Sequence, residues 1–172
     1  MKINASLYKL NSGFTLIEVL VTLLVLSIGL LGLAGLQGQS LRANNQALER
    51  SAVTALANNM VNRILLNRAG GIAGNYDNTN QSADLLNPDC DLEAGCPAVD
   101  VAGHDLAAWE ADLANILENG EGVVCLDTTP NDGAGSAQVD NQCDGNGTIY
   151  AIKIWWGPDG NRNQFVTSLN LQ

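Results

Sequence analysis

The sequence predicts an α+β fold in which one long N-terminal helix is followed by a small C-terminal antiparallel β-sheet. Three observations support this fold class. Residues 19–41 carry no charge over 23 positions. Apolar residues then recur at helical spacing to about residue 68. Near the other end of the chain, residues 148–156 alternate between apolar and less apolar types, which is typical of a strand.

The long helix is predicted over residues 14–68, with an apolar part at 14–36 and an amphipathic part at 37–68. The apolar part would extend ~34 Å as a helix, which is enough for one membrane crossing. In the amphipathic part, steps of three and four mark one apolar face: Val53, Leu56, Met60 and Ile64. Two glycines after Asn67-Arg68-Ala69 predict the end of the helix.

Residues 69–172 are predicted to form a globular head. Residues 70–104 are rich in Gly, Asn, Asp and Pro and predict a long connecting loop. Asp105 is predicted to cap a short helix that ends at Asn119-Gly120. Its core face is predicted to carry Leu106, Trp109, Leu113, Ile116 and Leu117.

Strands are predicted at residues 122–126, 148–156 and 164–171, with a turn at 157–161 before the last one. In the middle strand, one predicted face holds Tyr150, Ile152, Ile154 and Trp156, and the other holds Ala151, Lys153 and Trp155. Because Trp155 lies on the less apolar face, two interpretations stay open. It contacts a neighbouring subunit, or it packs at the rim of the core.

The charge distribution is strongly acidic. The chain has 8 Lys and Arg against 18 Asp and Glu, a net charge of -10. Between Arg68 and Lys153 there is no Lys or Arg, whereas 15 Asp and Glu lie there. Direct binding of nucleic acid is therefore not expected, because affinity for phosphates depends on cations. The acidity is better explained by solubility.

The four cysteines, Cys90, Cys96, Cys125 and Cys143, all follow the apolar segment. An even number in an exported domain predicts two disulfides, and three pairings are possible. We favour Cys90 with Cys96 and Cys125 with Cys143, because each pair encloses a loop rich in Gly, Asp and Asn. No metal site is expected, since the spacing lacks a C-x-x-C form and the chain has one histidine.

No catalytic constellation is evident. His104 is the only histidine, and no Ser or Cys nucleophile motif accompanies it, so a structural role is favoured. Residues 140–147 offer oxygen donors and glycines as a calcium loop does, but Ala151 stands where a carboxylate is needed. A disulfide-closed turn is the better interpretation. We expect no enzyme activity, no cofactor and no small-molecule substrate.

The most specific signal is Gly13-Phe14-Thr15-Leu16-Ile17-Glu18, which follows the cations Lys2 and Lys9. Burying an ionised carboxylate in hydrocarbon costs several kcal/mol or more unless it has a partner. Glu18 is therefore expected to require a cation that the chain does not supply nearby.

These residues resemble the class III signal of type IV pilins and of type II secretion pseudopilins. The resemblance implies that a prepilin peptidase removes residues 1–13 as a leader by cutting between Gly13 and Phe14. The new N-terminus becomes N-methylphenylalanine. It also implies an assembly role for Glu18, as partner of an N-terminal amine. An ordinary secretory signal cut near Ala34 is disfavoured, because such segments are shorter and seldom contain Glu.

The resemblance implies the lollipop form of type IV pilins, in which the long helix joins a small sheet. Residues 25–37 and 150–156 are similar to those of the PilV-type minor pilins, also called pilus modification proteins. Such proteins reside in the inner membrane with the head in the periplasm and reach the cell surface in the pilus. They prime assembly with other minor pilins and the major pilin, contribute to the tip, and support twitching motility, adhesion or DNA uptake.

Two alternatives remain open at this point. The chain is a minor pseudopilin of type II secretion, or it is a membrane-anchored periplasmic enzyme or binding protein that uses the same signal. Neighbouring genes would separate the first alternative from a pilus component. The second would require a pocket with convergent polar groups.

Overall fold

The structure is a computed structural model that describes residues 13–78, 90, 95–131, 136–138 and 140–171. Residues 1–12, which belong to the predicted leader, lie outside the described residues. Within the loop predicted at 70–104, residues 79–89 and 91–94 also lie outside them. The chain divides into two compact units, an N-terminal unit that ends at Gln46 and a C-terminal unit that begins at Ala47.

The first helix, α1, runs without interruption from Leu16 to Leu66, close to the predicted bounds. Its first turn is closed by Thr15, whose hydroxyl accepts a hydrogen bond from the Glu18 amide at 3.4 Å. In the N-terminal unit the side chains of α1 are exposed. By its length and composition, this part of α1 is able to cross a membrane.

Within the C-terminal unit, α1 buries all four residues of the predicted face, Val53, Leu56, Met60 and Ile64, and it also buries Ala57. A short helix, α2, follows at Arg68–Ile72, and the Asn67 side chain accepts a hydrogen bond from the Gly70 amide at 3.3 Å. The expectation that Gly70 and Gly71 begin a loop is therefore wrong. Both glycines are buried, and a Cβ on Gly71 would lie 2.5 Å from the Leu171 Cδ1, so a larger residue there would require the Leu171 side chain to move.

The third helix, α3, spans Ala98–Ile116 and begins after Pro97, seven residues before the predicted cap. Asp105 is thus an interior helical residue rather than an N-cap, and residues 98–104 are helical rather than loop. The buried positions of α3 include Ala102, Leu106, Trp109 and Leu113. Ile116 was predicted to be in the core but is 57% exposed. Trp109 is fully buried as predicted, and its indole Nε1 donates to the Leu56 carbonyl at 3.0 Å.

Three strands complete the fold: β1 at Glu121–Leu126, β2 at Ile149–Trp156 and β3 at Asn163–Asn170. They form one antiparallel sheet in the order β1-β2-β3. Val124 pairs with Ile152, and Ile152 pairs with Thr167. The predicted α+β class, with a long N-terminal helix and a small antiparallel sheet, is confirmed.

Both faces of β2 are buried. One face joins α1 and α3 in the main core through Tyr150, Ile152, Ile154 and Trp156. The opposite face forms a smaller cluster with β1, made of Val123, Cys125, Ala151 and Trp155. Cys143 packs against this cluster, and the Lys153 Nζ on the same face donates to the Asn141 carbonyl at 3.0 Å, so residues 141–143 lie against this side. The predicted rim or surface position of Trp155 is therefore wrong, since its side chain is 1% exposed.

Candidate processing and assembly site

Gly13 and Phe14 precede α1 and have no regular secondary structure. Phe14 is 79% exposed, so the bond between them lies on an accessible, non-helical segment. Within the described part of the chain, a Cβ added to Gly13 would meet no atom within 4 Å. Packing among the described residues thus gives no reason for glycine at this position. A protease pocket that excludes side chains would supply one.

Glu18 lies in the first turn of α1 and is exposed. A carboxylate at this end of a helix is favoured by the helix dipole. Its backbone amide donates to the Thr15 carbonyl at 3.1 Å, but among the described residues its carboxylate makes no ion pair. No cation among the described residues therefore pairs with the Glu18 carboxylate.

An extended apolar surface surrounds Glu18. The large apolar side chains from Phe14 to Leu41 are between 47% and 79% exposed. A contiguous apolar surface of this size requires lipid or protein around it. Four glycines in α1, at positions 29, 32, 35 and 38, have no atom within 4 Å of an added Cβ in the described residues, so packing within this chain does not explain them either.

The C-terminal unit contains a polar network that the sequence reasoning missed. The Arg63 Nη1 donates to the Asp105 Oδ1 at 2.9 Å, and the Tyr76 hydroxyl donates to the Asp105 Oδ2 at 2.6 Å. Asn67 donates to the Tyr76 hydroxyl at 3.2 Å. Burial, and then the hydrogen bond to Asp105, raise the pKa of Tyr76. A detectable signal was the position of Asp105 at helical spacing from Ala102 and Trp109, on the apolar face of α3.

A second missed feature is the ion pair of Lys153 and Asp127. The Lys153 Nζ lies 2.6 Å from the Asp127 Oδ2 and donates to the carbonyls of Asn141 at 3.0 Å and Gln142 at 3.2 Å. Gln142 has a φ of 54°, a left-handed conformation in the turn that holds both carbonyls against Lys153. The sequence signal was a lone cation within the apolar segment Tyr150–Trp156.

The structure has both disulfides with the favoured pairing. The Cα atoms are 4.9 Å apart in Cys90–Cys96 and 6.3 Å apart in Cys125–Cys143. The Asp127 carboxylate lies within 4.8 Å of the Cys125 and Cys143 sulfurs. These sulfurs are not thiolate ligands, because they are bonded to each other, and Asp127 is occupied by Lys153.

The remaining candidates are His104 and the acidic residues of the loop that was considered for calcium. His104 is partly buried within α3. In the loop considered for calcium, the Asp140 carboxylate accepts hydrogen bonds from Ser136 at 3.2 Å and from Gln142 at 2.6 Å. The Asp144 carboxylate accepts from the hydroxyl and amide of Thr128, and the Thr128 hydroxyl bond in particular lowers the pKa of Asp144. Protein donors therefore occupy these oxygens.

Comparison with known proteins identifies one feature of the chain. A family model described as the prokaryotic N-terminal methylation motif matches residues 8–34. No curated protein and no solved structure matches the chain. The matched residues include the Gly13–Phe14 bond and Glu18, and the motif is a type IV pilin-like prepilin signal.

The motif defines the class of protein in broad terms. It indicates a type IV pilin-like or pseudopilin-like protein, and it points to a structural protein rather than an enzyme. It also implies processing by a prepilin peptidase and assembly with other pilins. Together with the apolar helix, it suits anchoring in the inner membrane.

Proposed function

We propose that this protein is a minor pilin of the type IV pilus, of the PilV type, that primes filament assembly and contributes to the pilus tip. One observation carries the proposal: the methylation motif at residues 8–34 leads directly into an exposed apolar helix with a carboxylate in its first turn. Through the pilus, the protein supports twitching motility, adhesion or DNA uptake.

Processing is the first step of the proposed mechanism. A prepilin peptidase cleaves between Gly13 and Phe14 and methylates the Phe14 amine, which removes Lys2 and Lys9 with the leader. The accessible, non-helical segment and the unpacked Gly13 support this step. Because the cut precedes α1, the apolar helix stays with the mature protein and anchors it in the inner membrane with the C-terminal unit in the periplasm.

Assembly is the second step. In a filament, the exposed apolar surfaces of neighbouring α1 helices cover one another. Glu18 becomes the fifth residue of the mature chain and pairs with the N-terminal amine of an adjacent subunit. An amine and a carboxylate about 4 Å apart attract strongly where water is excluded. The pairing also fixes the axial position of one helix relative to the next, because a shifted register would leave both charges unpaired.

The subclass rests on the residues that resemble PilV-type minor pilins, namely 25–37 in α1 and 150–156 in β2. The apolar residues of 150–156 also make the central strand of the sheet, so this part of the resemblance has a packing reason as well. A minor pseudopilin of type II secretion would share the same processing and anchoring, and a functional experiment has to separate the two.

Gene deletion separates these functions. We expect the deletion strain to lose surface pili and twitching while type II secretion is unchanged, and the wild-type gene to restore pili. Loss of secretion with normal piliation would identify a pseudopilin instead. A strain with normal pili and normal secretion would favour a membrane-anchored periplasmic protein, and would overturn the proposal.

A further inference from the structure

The segment Asp144-Gly145-Asn146-Gly147-Thr148 lies between Cys143 and the start of β2. We propose that Asn146 is an acceptor site for an N-linked oligosaccharide. Asn146-Gly147-Thr148 has the acceptor pattern of an asparagine followed two residues later by a hydroxyl residue, with a residue other than proline between them. The proposal rests on the proposed function in one respect, since the acceptor has to reach the periplasm.

Two other places in the chain have the same three-residue pattern, at Asn4 and at Asn80. Asn4 lies in the predicted leader, and Asn80 lies outside the described residues. Asn146 differs from both in having a carboxylate two positions earlier, Asp144, where the other two sites have Lys2 and Asn78. In an extended chain, side chains two apart project on the same side. A transferase groove can then contact Asp144, Asn146 and Thr148 together, and a cation in that groove would bind the carboxylate.

The position of the segment in the fold suits a bulky modification. Residues 144–148 are all exposed. Gly145 and Gly147 have φ values of 67° and 86°, so a left-handed residue lies on each side of Asn146 in the turn. An oligosaccharide on the Asn146 side chain therefore projects into solvent and displaces none of the residues in the two hydrophobic clusters.

The folded turn also determines when transfer takes place. The Asn146 Nδ2 donates to the Asp144 carbonyl at 2.7 Å, and the Asp144 carboxylate is held by Thr128. This arrangement is turned, not extended, and it occupies the groups that a transferase would contact. Transfer is thus expected on the exported chain before the Cys125–Cys143 disulfide fastens the turn to β1.

The donor is a polyprenyl-diphosphate-linked oligosaccharide. A bond forms between the Asn146 Nδ2 and the anomeric carbon, and the bond from that carbon to the diphosphate oxygen breaks. The polyprenyl diphosphate leaves with the bonding electron pair, and a carboxylate of the transferase accepts the amide proton. No oxidation or reduction takes place.

The test is expression of the full chain in a bacterium that has a membrane oligosaccharyltransferase and its lipid-linked donor. Peptide mapping by mass spectrometry is the readout. We expect the peptide with Asn146 to be heavier by the mass of the oligosaccharide, and Asn146→Gln and Thr148→Ala to lose the modification. Thr148→Ser should keep it, and Asn80→Gln serves as the matched control that leaves it unchanged.

Two further variants test when the oligosaccharide is transferred and whether the Asp144 carboxylate promotes the transfer. Asp144→Asn should lower the modified fraction, because it removes the charge. Cys125→Ser/Cys143→Ser should raise the modified fraction, because the turn stays open for longer. An equal modified fraction in all three chains would overturn this account of the site.

The disulfide separates failure of this proposal from failure of the proposed function. An unmodified Asn146 in wild-type protein with an oxidised Cys125–Cys143 pair overturns the glycosylation proposal and leaves the pilin proposal intact. Reduced cysteines in the wild-type chain mean that the C-terminal unit was not exported, which overturns both. A gain of a single mass unit at Asn146 is deamidation and counts against glycosylation.

Discussion

The ammonium of Lys153 lies 2.6 Å from the carboxylate of Asp127, and neither side chain is exposed to solvent. The two residues are 26 positions apart, so the pair joins the middle of β2 to the segment that follows β1. The Lys153 Nζ also reaches the carbonyls of Asn141 and Gln142, and Asp127 accepts from the Thr129 amide at 3.0 Å. The pair therefore holds Asp127 and the turn at residues 141–142 against the outer face of the sheet.

Lys153→Met is expected to lower the free energy of unfolding by about 3–5 kcal/mol, because it leaves the Asp127 carboxylate buried and without its cation. Adding Asp127→Asn should recover most of that loss, since the amide is neutral and still able to accept from Thr129. Urea unfolding of the detergent-solubilised chain, followed by tryptophan fluorescence, measures both. The control is Glu121→Gln, which breaks a partly exposed pair with Arg162 and should cost about 1 kcal/mol or less. A similarly small effect of Lys153→Met would contradict the prediction.

Tyr76→Phe is expected to cost about 1.5–3 kcal/mol, because the lost hydrogen bond has a charged acceptor, Asp105. Tyr150→Phe is the matched control. Its hydroxyl is also buried but donates to a neutral acceptor, the Gly71 carbonyl at 2.8 Å, so about 0.5–1.5 kcal/mol is expected. The same urea experiment compares the two variants, and an equal or reversed order would contradict the role of Asp105.

The Tyr76 contribution has a predicted pH dependence. Burial raises the pKa of Tyr76 above the usual value of 10.0. Since the folded state then holds the proton more tightly than the unfolded state, the stabilisation is complete below pH 10.0 and falls as the pH rises above it. Wild type should therefore lose more stability than Tyr76→Phe between pH 9 and about pH 11. Parallel curves would refute this dependence.

Both disulfides are expected to be oxidised in protein taken from the periplasm, as Cys90–Cys96 and Cys125–Cys143. Peptide mapping without reducing agent checks the pairing. Cys125→Ser/Cys143→Ser should cost about 3 kcal/mol, because the bond closes a loop with a sequence separation of 18. Free thiols would contradict the export of this unit. Crossed pairs would contradict the described turn.

Processing is expected to leave Phe14 as the methylated N-terminus, which mass spectrometry of the N-terminal peptide measures. Gly13→Val should remain uncut. A Cβ added at Gly13 meets no atom within 4 Å in the described residues, so a failure of cleavage would reflect recognition by the peptidase and not misfolding. An intact Met1 or a mature N-terminus near Gly35 in wild type would refute the pilin assignment.

Glu18→Ala is expected to be processed and to stay in the membrane, but to co-purify poorly with its pilin partners and to restore few surface pili in a deletion strain. The reason is the loss of the only negative charge within residues 14–41. Glu18→Gln should be intermediate or equally poor. Ser27→Ala is the control in the same part of α1, because the Ser27 hydroxyl bonds to the Leu23 carbonyl of its own helix. Full complementation by Glu18→Ala at equal expression would exclude the pairing.

Several features of this protein could be predicted from the sequence because they depend on neighbouring residues. The apolar run and the spacing from Val53 to Ile64 predicted α1 and its buried face, and alternation predicted the strands. The prepilin-type signal is a continuous motif and was recognisable without any structure. Periodicity and short motifs are local properties, so local sequence is sufficient for them.

The burial of individual charged and aromatic residues was decided only by the tertiary structure. The sequence predicts a cap at Asp105 because it does not reveal the partner of this residue, Arg63, which is 42 positions away. The sequence predicts an outer face for Lys153 and Trp155, because it does not reveal that residues 141–143 return to cover that face. A buried charge is stable only beside its counter-ion, and a strand face is interior only when another segment packs on it. Both conditions depend on residues that are distant in sequence, so they are met only once the chain has folded.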